Sequence, residues 1–267
     1  NHIYVDNYCK ACGLYRTRFM LFNKYFQESY LKSFFVLIYG KRYFKILKNS
    51  QIKIIVLTDF HKNFLLELGF KSTNIFVLPN RISISTEEEN KNKENSIIYA
   101  GRISREKGVH IIIEEFIGAC LKNTTLDIIG EGPSLEGLQN YYKNENIVFH
   151  GLKPNNEVKE MISKAKAVVT GTLLYEGQPT LLSEASIQGI PSIFPENGGI
   201  SEFFPNDYIL KYTHSEAGSL LRKFKLLDSN QYDLQTMGKE NKLFIESKLN
   251  EDVLLKKFKE IINYSND

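Results

Sequence analysis

Glu176 and Glu184 bracket the stretch Glu-Gly-Gln-Pro-Thr-Leu-Leu-Ser-Glu, two carboxylates with seven residues between them. An apolar, strand-like run, Ala167-Val-Val-Thr-Gly-Thr172, comes before it, and a helical pattern starting at Pro179 follows. Proline suits the first position of a helix, because the N–H it lacks would have no partner there. Glu176 is therefore expected in the loop at the carboxyl end of a strand, where open α/β sheets bind ligands. Glu184 is expected about two turns along the helix, at ~3.6 residues per turn, facing the same crevice. The N–H groups of Thr180, Leu181 and Leu182 would point there too, and a helix N-terminus attracts phosphate. Two acids on either side of an anion site suit a ligand with a phosphate centre and hydroxyls at both ends. A sugar nucleotide is such a ligand.

Further groups are expected at the ends of successive strands. Gly101-Arg102-Ile-Ser-Arg-Glu-Lys107-Gly108 follows the run Ser96–Ala100, and Arg102 and Lys107 could converge on a phosphate pair, one through its planar fork and the other as a point charge. Basic residues after a strand are more often simply solvated, so this stretch is weak alone. Gly130-Glu131-Gly132-Pro133 ends the next strand as a phosphate or ribose loop or as an ordinary turn. Phe149-His150-Gly151-Leu152 ends the third, with His150 read as a packed residue. Asn197-Gly198-Gly199-Ile-Ser-Glu202 follows a fourth, its glycines expected to leave room for a sugar against bare backbone. The force of the argument lies in the combination, since parallel strands bring all these loops to one edge.

The elements that must position them alternate. Strands are expected at 52–58, 75–78, 96–100, 126–129, 147–149, 167–170, 191–194 and 208–210. Helices are expected at 59–68, 108–120, 133–143, 155–164, 179–188, 215–228, 232–247 and 251–263. Such alternation gives right-handed βαβ crossovers and a parallel sheet, an α/β class. The polar run Thr86–Asn95 has no apolar anchor and reads as a linker. The expected domains are 1–85, a linker at 86–95, a nucleotide-binding domain at 96–246, and a closing helix at 247–267 that packs back on the first domain.

Composition sets the limits. With 267 residues and 42% hydrophobic content a large core is feasible, and a net charge of +3 gives no global nucleic-acid signature. Cys9, Cys12 and Cys120 are too few for a disulfide framework and fit a reducing compartment. Cys9-x-x-Cys12 is half a zinc site at most, so no metal is expected. The apolar run Phe34–Tyr39 is too short to span a bilayer, and no signal peptide is expected before the first strand. Between Arg16 and Lys48 there are eight Lys/Arg and one acid, Glu28, interleaved with aromatics. That pattern suits an anionic membrane surface, or else core aromatics beside a solvated basic face. The Lys/Asn/Ile-rich composition suggests an AT-rich bacterial genome. The chain opens on Asn1 almost directly in a strand-like segment, so a missing amino-terminal part is expected.

Gly-Arg-x4-Lys-Gly at 101–108, Gly-Glu-Gly at 130–132, the Glu176/Glu184 pair and Gly-Gly-Ile-x-Glu at 198–202 together resemble the retaining glycosyltransferases of family 4 (GT4). The resemblance is strong over 96–204 and looser elsewhere. It implies the GT-B architecture, two Rossmann-like domains facing a cleft, with the first one incomplete here. It implies that Arg102 and Lys107 bind the donor diphosphate, Glu176 the donor sugar and Glu184 the ribose. Amides around Thr180 and Leu181 would hold phosphate, and Gly151-Leu152 would lie by the base. Gly101, Gly130, Gly132, Gly177 and Gly199 would line the donor site. The family often has Glu-Gly-Phe-Gly where this chain has Glu-Gly-Gln178-Pro179, which tightens the loop. Tyr4-Val-Asp6-Asn-Tyr8 resembles the family's His-Asn-Tyr, so Asp6 would take the place of a catalytic histidine, the alternative being a strand-end cap.

The implied function is transfer of a hexose, with retention, from a UDP or GDP sugar to a glycan or lipid-linked acceptor in bacterial surface polysaccharide or capsule synthesis. No further cofactor is implied, and no Asp-x-Asp metal motif is present in the sequence. The implied location is cytoplasmic, peripheral at the inner face of the plasma membrane. The alternative is a nucleotide-sugar-binding module or subunit without turnover. Glycoside hydrolysis needs two acids across one bond, whereas these acids flank a basic phosphate site. An epimerase of the same fold lacks the spaced glutamates.

Overall fold

The computed structural model describes residues 29–49, 51–82, 94–229 and 231–263. Asp6, Cys9, Cys12, the basic stretch up to Glu28 and most of the expected linker lie outside the described residues.

Two units are distinguished by their internal contacts, one reaching Leu78 and resuming at Phe258, the other running from Pro79 to Lys257. In the first, helix α1 (Tyr30–Asn49) precedes β1 (Ile54–Val56), α2 (Asp59–Glu67) and β2 (Ile75–Val77). β1 and β2 pair in parallel, Ile54 opposite Ile75. Buried Thr58 caps α2, its hydroxyl accepting from the His61 N–H. Phe44 and Leu47 of α1 pack with Leu68, Phe70 and Ile75. Much of α1 is exposed, including Leu31, Phe34, Phe35, Ile38, Tyr39, Tyr43 and Ile46, although Ser33 is buried.

The second unit holds a six-stranded parallel sheet in the order β5-β4-β3-β6-β7-β8. In chain order these elements are β3 (Ser96–Ala100), α3 (Val109–Ala119), β4 (Thr125–Ile129), α4 (Leu135–Tyr141), β5 (Ile147–Gly151), α5 (Asn155–Lys164), β6 (Ala167–Val169), α6 (Thr180–Ile187), β7 (Ser192–Pro195), β8 (Lys211–Tyr212), α7 (Ser219–Asp228) and α8 (Leu234–Lys248). Helix α9 (Glu251–Asn263) runs from this unit into the first. Near its end Lys53 Nζ donates to the carbonyls of Ile261 and Ile262, at 2.6 and 3.0 Å, closing orphan helix carbonyls with a cation.

β3, β4, β6 and β7 are largely buried and mostly apolar on both faces, the exception in β4 being Asp127, which pairs with His150 Nε2 at 2.7 Å. In α3, Val109, Ile112, Ile113 and Phe116 are buried at helical spacing. The strand order turns back on itself between β3 and β6. From there the chain builds outward through β4 and β5 on one side and β7 and β8 on the other, the topology that leaves a binding crevice at the reversal.

The expected strand at 208–210 is corrected. Tyr208 is a loop residue whose hydroxyl donates to the Ser192 carbonyl and accepts from the Ser192 N–H, at 2.7 and 2.8 Å. Its ring lies parallel to Phe194, 5.6 Å away, and beside Phe204. A side chain thus fills the place of the ladder at the start of β7. Backbone pairing begins later, with Phe194 opposite Lys211.

Candidate functional site

The loops at the carboxyl ends of β3, β4 and β5 are tied side by side through their backbones. Gly101 N–H donates to Ile129 O, Ile103 N–H to Glu131 O, and Gly130 N–H to Gly151 O, all at 2.8–3.0 Å. Gly132 belongs to the same seam, since a Cβ on it would stand 2.2 Å from Ile103 O. Gly101, Gly130, Gly132 and Gly151 are therefore brought together, as the sequence suggested. A Cβ on Gly151 would meet no heavy atom within 4 Å. With Leu152 beside it 71% exposed, this stretch is open. Buried Tyr99 donates from its hydroxyl to Arg102 O at 2.8 Å. Burial, reinforced by the charges of Glu176 and Glu106, pushes the Tyr99 phenol well up, so it remains a donor. The Arg102 side chain stands exposed.

Lys107 lies in a short 3-10 turn, Arg105–Lys107, that leads through Gly108 into α3. Gly108 has φ +67°, and a Cβ there would sit 1.9 Å from Gly171 O. Only glycine permits both the left-handed turn and that approach. The turn is thereby pressed against the loop after β6, and Leu173 N–H donates to Glu106 O. The result is an ion pair across the reversal of the sheet: Lys107 Nζ lies 2.5 Å from Glu176 Oε1. Thr172, fully buried, donates to the same oxygen at 2.8 Å and accepts from Leu174 N–H at 3.3 Å. One carboxylate oxygen is thus held by two donors. Thr172 O takes a hydrogen bond from His214 Nε2 at 3.0 Å. A carbonyl only accepts, so that nitrogen carries the proton. Burial lowers the His214 pKa, and the Thr172 carbonyl opposes the shift.

The backbone of Glu176 is fixed as well. Its carbonyl accepts from Gly199 N–H at 2.7 Å, and Asn197 Nδ2 donates to Leu174 O at 3.0 Å. Here one expectation is corrected. Gly198 has φ +67°, and a Cβ on it would stand 2.5 Å from Glu176 O. Its missing side chain admits the Glu176 loop, so the space at Gly198 is already filled by backbone.

A second correction concerns Pro179, which stands one residue ahead of α6 in extended geometry (φ −82°, ψ 96°) rather than in its first turn. The first helical bond runs from Ser183 N–H to Pro179 O, which leaves the Thr180, Leu181 and Leu182 amides ahead of it. No side chain caps them. Glu184, in the second turn, is partly buried, with Lys159 Nζ of α5 3.9 Å from Oε1. Burial raises its pKa and Lys159 opposes that shift.

Lys107 and Glu176 are joined directly, whereas the sequence put both on separate parts of a ligand. Sequence reasoning missed Thr172, His214 and Tyr99. A polar residue ending the apolar run 167–172 was the available signal for Thr172. No group of three or more His, Cys, Asp or Glu able to hold a metal occurs among the described residues.

The model of the glycosyl transferases group 1 family matches residues 80–244. The chain belongs to that family. The amylovoran biosynthesis glycosyltransferase AmsD of Erwinia amylovora is 27% identical over 178 residues, covering 61% of this chain and 49% of AmsD. The putative colanic acid biosynthesis glycosyltransferase WcaL of Escherichia coli is 33% identical over 126 residues, 42% of this chain and 30% of WcaL. The chain thus spans about half or less of the length of these relatives. Anabaena Alr3699/HepE, solved in complex with UDP and glucose, superposes with a TM-score of 0.68 at 16% identity, over 82% of this chain and 66% of that one. The fold is that of the GT-B glycosyltransferases.

Burial that raises the Glu184 pKa makes its ionised form a cost to folding. The sign follows: the penalty is absent below the unfolded carboxylate range, near pH ~4, and sets in as pH rises through the folded value. Thermal melts of Glu184→Gln are expected to match or exceed the wild type at pH 7, with the difference closing in acid. A variant less stable at pH 7 by a margin that does not change with pH would contradict this.

Proposed function

We propose that the chain carries the donor-binding part of a retaining GT4 hexosyltransferase. The enzyme takes a sugar from a UDP or GDP carrier and passes it, with its configuration kept, to a glycan or lipid-linked acceptor of bacterial surface polysaccharide or capsule. The observation that carries this reading is the meeting of Lys107 and Glu176 at the sheet reversal, with uncapped α6 beginning four residues after the glutamate. The biosynthetic roles in the names of AmsD and WcaL agree with it, as does the UDP in the HepE structure.

Breaking a glycosyl–phosphate bond builds negative charge on the leaving diphosphate and positive character on the sugar ring. Lys107 and Arg102, with the Thr180 and Leu181 amides, supply fixed positive potential for the diphosphate without reorganising during the reaction. Glu176 faces the sugar. Its carboxylate is already oriented by Thr172, so it can accept from a sugar hydroxyl and favour charge at the reacting carbon. Glu184 takes the ribose hydroxyls, and the open backbone at Gly151-Leu152 takes the base. Gly101, Gly130, Gly132, Gly177 and Gly199 would belong to the loops that line the site between. Asp6, assigned to an acceptor-side domain at 1–85, would take the place of the family's catalytic histidine. The closing segment 247–267 would complete that domain.

Calorimetric titration with UDP, GDP and ADP tests the donor site. Saturable binding of UDP or GDP, weakened at least about tenfold in Glu184→Ala, is expected. Binding of none of the three, or binding indifferent to Glu184, contradicts the reading.

The free face of α1 favours a peripheral membrane location at the inner leaflet. Between Tyr30 and Asn49 the sequence has Lys32, Lys41, Arg42, Lys45 and Lys48 and no acid, beside exposed aromatics. Aromatic rings at headgroup depth and cations on anionic lipid are the two forces that hold an interfacial helix. No helix among the described residues is long and apolar enough to cross a membrane. Co-sedimentation with phosphatidylglycerol-containing vesicles, lost when Arg42 and Lys45 become glutamate, is expected. Equal binding to pure phosphatidylcholine, or none to either, counts against it.

A further inference from the structure

Gln178 makes two hydrogen bonds to the backbone of a single residue 98 positions away. Asn80 N–H donates to Oε1 at 2.6 Å, and Nε2 donates to Asn80 O at 2.9 Å. This is the pairing a neighbouring strand would offer, and among side chains only a primary amide presents donor and acceptor side by side. Gln178 is two residues beyond Glu176. On one side of it Gly177 has no side chain to anchor, and on the other Pro179 has no N–H. Gln178 is thus the residue best equipped to fasten the loop between Glu176 and α6.

The segment it is tied to has contacts of its own. Ile82 is buried in the main core, and Arg81 pairs with Glu251 at 2.8 Å. Asn80 stands between buried Pro79 and these anchors.

We infer that Gln178 is a positioning residue for Glu176: its amide ties the Glu176 loop to the Pro79–Ile82 segment and so sets the carboxylate's aim at the donor sugar. The part of this that concerns the sugar rests on the donor-site reading above. The nucleotide grip through Glu184, in the second turn of α6, lies beyond the segment that the tie fastens. Gln178 therefore separates two properties that a general loss of structure would damage together.

The test uses the whole chain and three forms: wild type, Gln178→Leu, which keeps bulk and loses both bonds, and Gln178→Glu, which keeps only the acceptor for Asn80 N–H. Amide exchange is followed at Asn80, at Gly199 (bonded to Glu176 O) and at Ile97 and Ile98 of the core as controls. In the leucine variant Asn80 and Gly199 are expected to exchange about tenfold faster or more, with the controls unchanged, and the glutamate variant falls between. UDP affinity in the leucine variant is expected to stay within about twofold of wild type, while any advantage of UDP-glucose over UDP disappears. Faster exchange at Asn80 with none at Gly199 overturns the inference, because the amide would then hold Asn80 alone. A parallel fall in UDP and UDP-glucose affinity overturns it as well. If the wild type binds neither ligand, the donor-site reading fails, and the exchange at Gly199 by itself decides whether Gln178 positions the loop.

Discussion

The parallel pairing of β3 with β6, Ile97 opposite Ala167 and Ile98 opposite Val168, is the constraint on which the site depends. It places two strands 70 residues apart in sequence next to each other, Ile97 with Ala167, with their following loops leaving in opposite directions. Where the loops part there is room for a ligand, and where they start they must touch. Gly108 against Gly171 is that touch. A larger residue at either position would push Lys107 away from Glu176. The sheet core supports the pairing: Ile97, Ile98, Ala167 and Val168 are all almost wholly buried. The core here positions charge as well as supplying stability.

The Lys107–Glu176 pair is the contact that this arrangement produces. Both side chains are partly exposed, so the pair adds little to folding. Its effect is geometric. Thr172 holds one carboxylate oxygen from a buried position and Lys107 reaches the same atom. The cation and the acid are thereby held in one fixed arrangement. At Glu184 burial raises the energy of the charged form, and Lys159 offsets part of that cost.

Much of this was legible in the sequence because the apolar period was strong. β3, α5 and α9 begin and end where the pattern placed them, at Ser96–Ala100, Asn155–Lys164 and Glu251–Asn263. The gathering of Gly101, Gly130 and Gly151 followed from the parallel order alone. What escaped was whatever depended on a partner distant in the chain. Gln178 read as a residue that tightens a loop, since nothing near it announces Asn80. The apolar run at 208–210 read as a strand, because no local rule shows Tyr208 bonding to the edge of β7 through its hydroxyl. Gly198 read as space, because its occupant, the backbone of Glu176, is brought there by tertiary structure.

The most direct measurement is chemical-shift mapping of UDP onto the isotope-labelled wild-type chain. The account predicts that the amides of Gly101, Gly130, Gly151, Thr180, Leu181 and Leu182 shift together along one saturation curve, as one site built from the ends of β3, β4, β5 and the start of α6. Saturation that moves none of these amides, or that moves only residues elsewhere in the chain, would contradict it.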